Sequence, residues 1–126
     1  MTNSILPIAN GLYEIERSGD TIIVTPFVDL REFDFDHVEA AAEETLQQLS
    51  SSGAKNLVLD FRNTDYYGSS ALSFFVNLWK RVKKHGGRMA FCNLSAHETE
   101  LLEITHLDHF WTVYPTRNEA LAALAR

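Results

Sequence analysis

Two adjacent serines are the side chains of this 126-residue chain best placed to carry chemistry. Ser69 and Ser70 follow Tyr66-Tyr67-Gly68 and precede a segment whose apolar residues recur with helical spacing. A serine at a helix start can cap the helix, because its oxygen accepts a hydrogen bond from an otherwise unpaired backbone N–H. The same position tolerates a phosphate, since a helix N-terminus carries partial positive charge. The pattern therefore allows two interpretations, a plain cap and a site of phosphorylation.

The rest of the sequence shows no recognisable set of catalytic residues. Walker A and Gly-x-Gly-x-x-Gly motifs are absent, and residues 68–72 lack the second glycine of a nucleophile elbow. Only His106 and His109 have a metal-like spacing, with no third ligand nearby in sequence. Cys92 lies in an apolar run, which is typical of a small buried residue. We therefore expect a protein that is not an enzyme and that uses no metal and no cofactor.

Aromatic residues surround the serine pair. Tyr66 and Tyr67 precede it, whereas Phe74, Phe75 and Trp79 follow on the predicted helix. A helix that packs against one layer cannot turn all of its aromatic side chains inward. Either this helix packs against two layers, or part of an aromatic patch is exposed as a protein interface.

Strands and helices alternate along the chain. The sequence predicts strands over 11–16, 21–27, 56–61, 88–92 and 110–113. It predicts helices that begin at Asp34 or Asp36 and fade in Ser50–Gly53, and helices over Ser69–Lys84, 96–105 and 119–125. The first helix turns one apolar stripe inward: Phe35, Val38, Ala41, Ala42, Leu46 and Leu49.

Turn and cap signals complete this pattern. Ser18-Gly19-Asp20 predicts a hairpin turn, and Gly86-Gly87 predicts the end of a helix. Two capping boxes are predicted at helix starts, Ser95-x-x-Glu98 and Thr116-x-x-Glu119. Helical crossovers between strands require parallel pairing. We predict one α/β domain over residues 1–126, with its core in 11–125: an N-terminal hairpin, then a mixed, mostly parallel sheet of about five strands with about four helices.

Composition narrows the class of protein. A hydrophobic fraction of 45% and a charged fraction of 22% are those of a soluble globular domain. The single cysteine excludes an internal disulfide, and a net charge of −6 argues against nucleic-acid binding. No secretory signal and no apolar run of bilayer length are visible. We expect a cytoplasmic protein without a membrane span.

Charge is unevenly distributed along the chain. Seven acidic residues lie between Asp29 and Glu44, whereas five of the eleven Lys and Arg lie between Lys80 and Arg88. Two interpretations remain open at this point: two solvated helix faces, or a polarised surface that docks a charged partner.

Taken together, these residues resemble the STAS domain family, in particular its single-domain anti-sigma factor antagonists. The family pattern is Asp-Leu-Ser-x-Val-x-Phe-(Met/Ile)-Asp-Ser-Ser-Gly-Leu, followed by a helix that ends near Lys-x-x-Gly-Gly. The chain matches this pattern at Asp60, Tyr66, Ser69, Ser70, Leu72 and residues 83–89. It departs from the pattern at Gly68, where the family has an acid, and at Ala71, where the family has glycine. The element order also agrees, so the resemblance covers nearly the whole chain.

The resemblance implies a partner switch. An anti-sigma factor with serine kinase activity would bind the unmodified chain, releasing its sigma factor, and would phosphorylate Ser69, with Ser70 as the alternate. Phosphorylation would dissolve the complex, and a serine phosphatase is implied as a further partner. The residues expected to contact the anti-sigma factor are Tyr66, Tyr67, Gly68, Ser69, Ser70 and Phe74.

Two other functions remain as alternatives within the family. The chain could be a STAS scaffold subunit, not phosphorylated, of a stressosome-like complex or of lipid-transport machinery. A nucleotide or small-molecule sensor is the other alternative, although no phosphate loop in the sequence favours it.

Overall fold

The structure is a computed structural model that describes residues 4–6, 13–27, 29 and 35–125, with the backbone alone at 4–6, 35–39, 41, 69 and 70. Its strands are β1 (Ser4–Leu6), β2 (Tyr13–Ser18), β3 (Thr21–Pro26), β4 (Asn56–Asp60), β5 (Met89–Cys92) and β6 (Thr112–Tyr114). Its α-helices are α1 (Phe35–Ser52), α2 (Ser69–Lys84), α3 (Ala96–Ile104) and α4 (Arg117–Leu124). One turn of 3₁₀ helix, Leu107–His109, follows α3.

The six strands form one mixed sheet in the order β1-β2-β3-β4-β5-β6. The pairings of β2 with β1 and with β3 are antiparallel, and the pairings from β3 to β6 are parallel. Helical connections impose the parallel half, because only a crossover returns the chain in the same direction. The predicted α/β fold class is confirmed, with one more strand than expected. β1 was missed because its three residues are too few to establish a period.

The hairpin and the end of α2 lie where they were predicted. Ser18 pairs with Thr21 across a two-residue turn that places Gly19 at a φ of 60°. After α2, Gly86 adopts a φ of 81°, the left-handed conformation that glycine favours at a helix end. Gly87 comes next and passes so close to Lys55 that an added Cβ would lie 1.8 Å from its carbonyl oxygen.

Helix α1 runs further than predicted. It continues through Ser52 and ends before Gly53, whose φ is 77°. The prediction that it fades from Ser50 was wrong, because the modest helix propensity of serine costs little once packing holds the helix. The inward stripe is confirmed at Ala42, Leu46 and Leu49, which pack against the core. Asp34 lies outside the described residues, and so do the side chains of Phe35, Asp36, Val38 and Ala41.

Helices cover both faces of the sheet. Helices α1, α2 and α3 enclose the larger core, which includes Ile15, Ile22, Leu57, Leu59, Phe75, Phe91 and Leu102. The opposite core lies under α4 and contains Ile23, Val58, Ala90, Cys92, Ala120 and Leu124. Residues of β4 alternate between the two cores, so this strand is buried on both faces, as predicted. Cys92 is fully buried, which confirms the prediction of a buried cysteine, and this burial raises the pKa of its thiol to about 12.

The C-terminal elements differ from the prediction by one to two residues at several ends. β6 covers 112–114 rather than 110–113, and α4 begins at Arg117 rather than at 119. The Ser95 box is complete, with both reciprocal hydrogen bonds. At Thr116 only half of the predicted box forms: its hydroxyl accepts from the Glu119 N–H at 3.2 Å, and the Glu119 carboxylate bonds that hydroxyl rather than the backbone.

Candidate functional site

The serine pair begins helix α2. Ser69 and Ser70 are the first two helical residues, and Gly68 occupies the N-cap position without any side-chain hydrogen bond. The prediction that a serine caps this helix was therefore wrong, because the helix starts one residue earlier than a serine cap requires. The first turn also carries no acidic side chain. The side chains of Ser69 and Ser70 lie outside the described ones, so phosphorylation there stays a prediction.

The loop 61–68, which leads to the serines, is tied to the start of α3 by a buried carboxylate. Glu98 is 1% exposed and accepts hydrogen bonds from the Thr64 hydroxyl at 2.7 Å and from the Ser95 N–H at 2.9 Å. The Ser95 hydroxyl accepts from the Glu98 N–H at 3.1 Å and donates to the Asp65 carbonyl at 2.8 Å. These contacts position the loop relative to α3, because each of them joins a loop residue to the helix cap or closes that cap.

Burial shifts the pKa values of two groups in this contact, Glu98 and Tyr67. It raises the pKa of Glu98, although hydrogen bonds from Ser95 and Thr64 act in the opposite direction. Tyr67 adds a third link, since its hydroxyl donates to the Glu98 carbonyl oxygen at 2.8 Å, and burial raises the pKa of this phenol as well. The fold therefore favours the protonated form of both groups.

An ion pair from α4 fixes the other end of the loop. The Asp60 side chain, at the end of β4, is fully buried and accepts from Nε of Arg117 at 2.8 Å. The same guanidinium donates to the Glu16 carboxylate and to the Thr25 hydroxyl, each at 2.9 Å. One arginine therefore spans β2, β3 and β4. Charge-assisted hydrogen bonds of this kind compensate the cost of burying Asp60.

The second carboxylate oxygen of Asp60 accepts hydrogen bonds at the start of the loop 61–68. It accepts from the Asn93 amide at 3.0 Å and from the Arg62 backbone N–H at 3.1 Å. The Arg62 guanidinium lies 3.9 Å from the other Asp60 oxygen and is half exposed. The direction of the chain after β4 is therefore set by a carboxylate that α4 holds in place.

Arg117 was missed by the sequence reasoning, and Asp60 and Glu98 were identified only as positions in motifs. A signal was available for Asp60: a carboxylate that directly follows an apolar buried strand needs a partner. The identity of that partner was not available, because Arg117 lies 57 residues further along the chain.

The aromatic residues near the serines are mostly core residues. Tyr67 and Phe74 are 1% and 8% exposed, and Tyr67 packs edge-on against Phe75 at 5.2 Å between ring centroids. Gly68 is buried too. Helix α2 packs against helix α1 and against strand β5 of the sheet. Tyr67, Gly68 and Phe74 have little accessible surface in the unbound chain, and their contact with a partner stays a prediction.

Among the predicted contact residues whose side chains are described, Tyr66 reaches the surface. It is partly exposed, and its ring lies edge-on to the exposed His97 ring, with 5.6 Å between centroids. His97 is on the first turn of α3, which the Ser95 cap holds against the loop. The surface beside the start of α2 therefore presents a phenol and an imidazole.

His106 and His109 have ring centroids 6.2 Å apart, and the part of the chain that is described holds no group of three His, Cys, Asp or Glu suited to a metal. Among the described helices, none combines the length and apolar composition that crossing a membrane needs.

Comparison with known protein families matches residues 14–120 to the STAS domain. An anti-sigma F factor antagonist of Paenibacillus polymyxa is 25% identical over 111 residues, covering 88% of this chain and 92% of that protein. The structure of an anti-sigma-factor antagonist (STAS) domain protein from Planctomyces limnophilus is 28% identical, with a TM-score of 0.80 and coverages of 90% and 98%. The Bacillus cell fate determinant SpoIIAA, solved in its phosphorylated form, shares the fold at 17% identity, with a TM-score of 0.63 and coverages of 88% and 97%. These matches confirm the resemblance found in the sequence.

Proposed function

Because the chain belongs to the STAS domain family, we propose that it is an anti-sigma factor antagonist that docks on its partner through the start of α2. The docking surface consists of Ser69, Ser70 and the neighbouring Tyr66 and His97. The observation that carries this proposal is the double anchoring of the loop 61–68. Glu98 holds the loop from α3, and Arg117 of α4 holds Asp60, whose carboxylate accepts from the Arg62 N–H at the start of the loop. The segment that leads to the serines is therefore anchored at two places, which lowers the entropy cost of docking.

Phosphorylation of Ser69 by the kinase activity of the anti-sigma factor is the proposed control. A dianionic group at the first position of α2 is compatible with the fold, because the helix N-terminus is partially positive and no acidic side chain occupies the first turn. A partner surface that fits a neutral hydroxyl would meet a charge that it must desolvate or repel. The complex would separate without a change of fold, and a serine phosphatase would restore the binding form.

Binding measurements on aspartate variants test this proposal. An anti-sigma factor that copurifies with the tagged chain is titrated calorimetrically with the wild type, Ser69→Asp, Ser70→Asp and Ser69→Ala. We expect Ser69→Asp to weaken binding by about a hundredfold, Ser70→Asp by less than about tenfold, and Ser69→Ala to bind like the wild type. Equal losses at both serines, or no loss at either, would contradict the assignment of Ser69 as the switch.

Thermal unfolding of the same variants provides the control. An acidic side chain in the first turn of a helix is favourable by about 0.3–1 kcal/mol, so Ser69→Asp should unfold at the wild-type temperature or slightly above it. A loss of affinity in a variant of unchanged stability is then an effect on the interface rather than on folding.

A further inference from the structure

At one edge of the sheet, the outer side of β6 has no partner among the described strands. β6 is the last strand of the order and pairs only with β5 among the described strands. An edge strand presents backbone N–H and C=O groups to an added chain. β6 has no charged side chain to discourage such pairing; Thr112 and Val113 are exposed, and Pro115 follows the strand. A short extended segment could therefore pair with it.

A groove lies beside the beginning of β6. It has a volume of about 230 Å³ and is lined by the end of α2, the beginnings of β5 and β6, and Leu124 of α4. Trp79 and Phe110 form an aromatic wall, with stacked rings 5.1 Å apart. Phe110 is 46% exposed and Val113 on the strand is 36% exposed. Apolar surface next to an open strand edge is typical of a site that receives the side chains of an added strand.

The charged groups of the groove are the cations Lys83 and Arg88. The Lys83 ammonium lies 4.8 Å from the centroid of the Trp79 ring, and Arg88 donates to the Leu124 carbonyl at 2.8 Å. The indole N–H of Trp111 is buried and has no hydrogen-bond partner among the described residues. Among the described residues, none that lines the groove is acidic. A ligand that complements these cations carries negative charge.

We propose that β6 and this groove bind an extended acidic segment of a partner protein, which adds to the sheet as a further strand. Its backbone would pair with the outer edge of β6, and one apolar side chain would pack on Trp79 and Phe110. Its carboxylates would face the cationic end of α2. This site is separate from the proposed switch, because Trp79, Val82 and Lys83 lie about 15–21 Å from Ser69 along α2, at a rise of about 1.5 Å per residue.

Tryptophan fluorescence offers a direct test, because both tryptophans of the chain, Trp79 and Trp111, line the groove. The probes are short synthetic peptides that alternate glutamate with valine around a central phenylalanine or leucine, and the same peptides with lysine in place of glutamate. We expect a saturable change with the acidic peptides, a Kd of roughly 10–100 μM and weakening by salt. In ¹⁵N NMR spectra, the shifted signals should be those of β6 and of the Trp111 indole N–H.

A matched pair of surface variants locates the site. Phe110→Glu removes half of the aromatic wall and adds a negative charge, so acidic peptides should bind at least about tenfold more weakly. Ile104→Glu makes the same kind of change at a side chain that is 65% exposed and outside the groove, and it should leave the affinity unchanged. Far-ultraviolet circular dichroism of each free variant confirms that it is folded.

Several results would overturn this inference. The first is a lack of binding by every acidic peptide, and the second is binding of the lysine peptides as tight as that of the acidic ones. The third is an equal loss of affinity for acidic peptides in Phe110→Glu and Ile104→Glu. Self-association of the chain through β6, seen by sedimentation and abolished by Phe110→Glu, would assign the edge to a second copy instead. None of these measurements depends on Ser69 or on the anti-sigma factor, so their failure leaves the proposed function untouched.

Discussion

Replacing Glu98 tests how the serine loop is supported. This carboxylate is 1% exposed and holds the Thr64 hydroxyl and the Ser95 N–H. Alanine would remove both contacts. Glutamine would keep both, because its oxygen can accept from Ser95 and its amide can donate to Thr64. The Thr64 hydroxyl hydrogen could then bond the Phe61 carbonyl, which lies 3.3 Å away.

The magnitudes follow from these contacts. A buried hydrogen-bonding group that loses its partner costs about 1–3 kcal/mol, and Glu98→Ala leaves two such groups, the Thr64 hydroxyl and the Ser95 N–H. We therefore expect Glu98→Ala to lower the free energy of unfolding by about 2–4 kcal/mol. Glu98→Gln should lie within about 1 kcal/mol of the wild type at neutral pH, on the stabilised side.

The pH dependence has a definite sign. Burial raises the pKa of Glu98 in the folded state above that of an unfolded glutamate, about 4.3. The folded chain therefore holds this proton more tightly, and the favourable contribution is fully present below that pH. It is lost as the pH rises through the folded-state pKa. The advantage of Glu98→Gln over the wild type should consequently grow as the pH rises above the pKa of an unfolded glutamate and through the raised pKa of Glu98 in the folded chain.

Urea unfolding of the wild type and of both variants at several pH values measures these quantities. Hydrogen exchange of the loop amides shows whether Glu98→Ala loosens residues 61–68 before the rest of the domain. The reasoning is refuted if alanine costs less than about 1 kcal/mol, if glutamine destabilises as much as alanine, or if the difference between glutamine and the wild type does not change with pH.

Two further substitutions test other parts of the support. Arg117→Ala removes the buried cation of Asp60 and leaves it only the half-exposed Arg62 guanidinium 3.9 Å away, so it should cost about 3–5 kcal/mol in urea unfolding. Adding Asp60→Asn should recover most of that loss, and additive costs of the two substitutions would contradict the ion pair. Gly87→Ala places a Cβ against the Lys55 carbonyl and should lower the free energy of unfolding by about 3 kcal/mol. Gly86→Ala places its Cβ in open space and should cost roughly 1 kcal/mol, because only its left-handed backbone is strained. Equal decreases in melting temperature for the two variants would contradict this reasoning.

Local signals made most of the fold predictable. The Ser95 box, the left-handed Gly86 and the apolar run of β4 each act within a few residues, so they can be identified from the sequence. Weak or overridden local signals explain the errors. β1 is three residues long, and the serines at the end of α1 follow a helix that packing already holds.

The candidate site was less predictable because its supports are distant in sequence. Arg117 and Asp60 are 57 residues apart, and Thr64 and Glu98 are 34 apart. No local pattern identifies which of several cations or carboxylates will meet across the sheet. The burial of Phe74 was similarly undecided, because it depends on how many layers α2 contacts. Only the tertiary arrangement settles these contacts.

Phosphopeptide mass spectrometry of this protein, purified from its native cells during growth and under stress, tests the central claim most directly. The proposed switch predicts phosphate on Ser69 whose occupancy changes between the two conditions. Unmodified serines in both conditions, or phosphate confined to other residues, would contradict it.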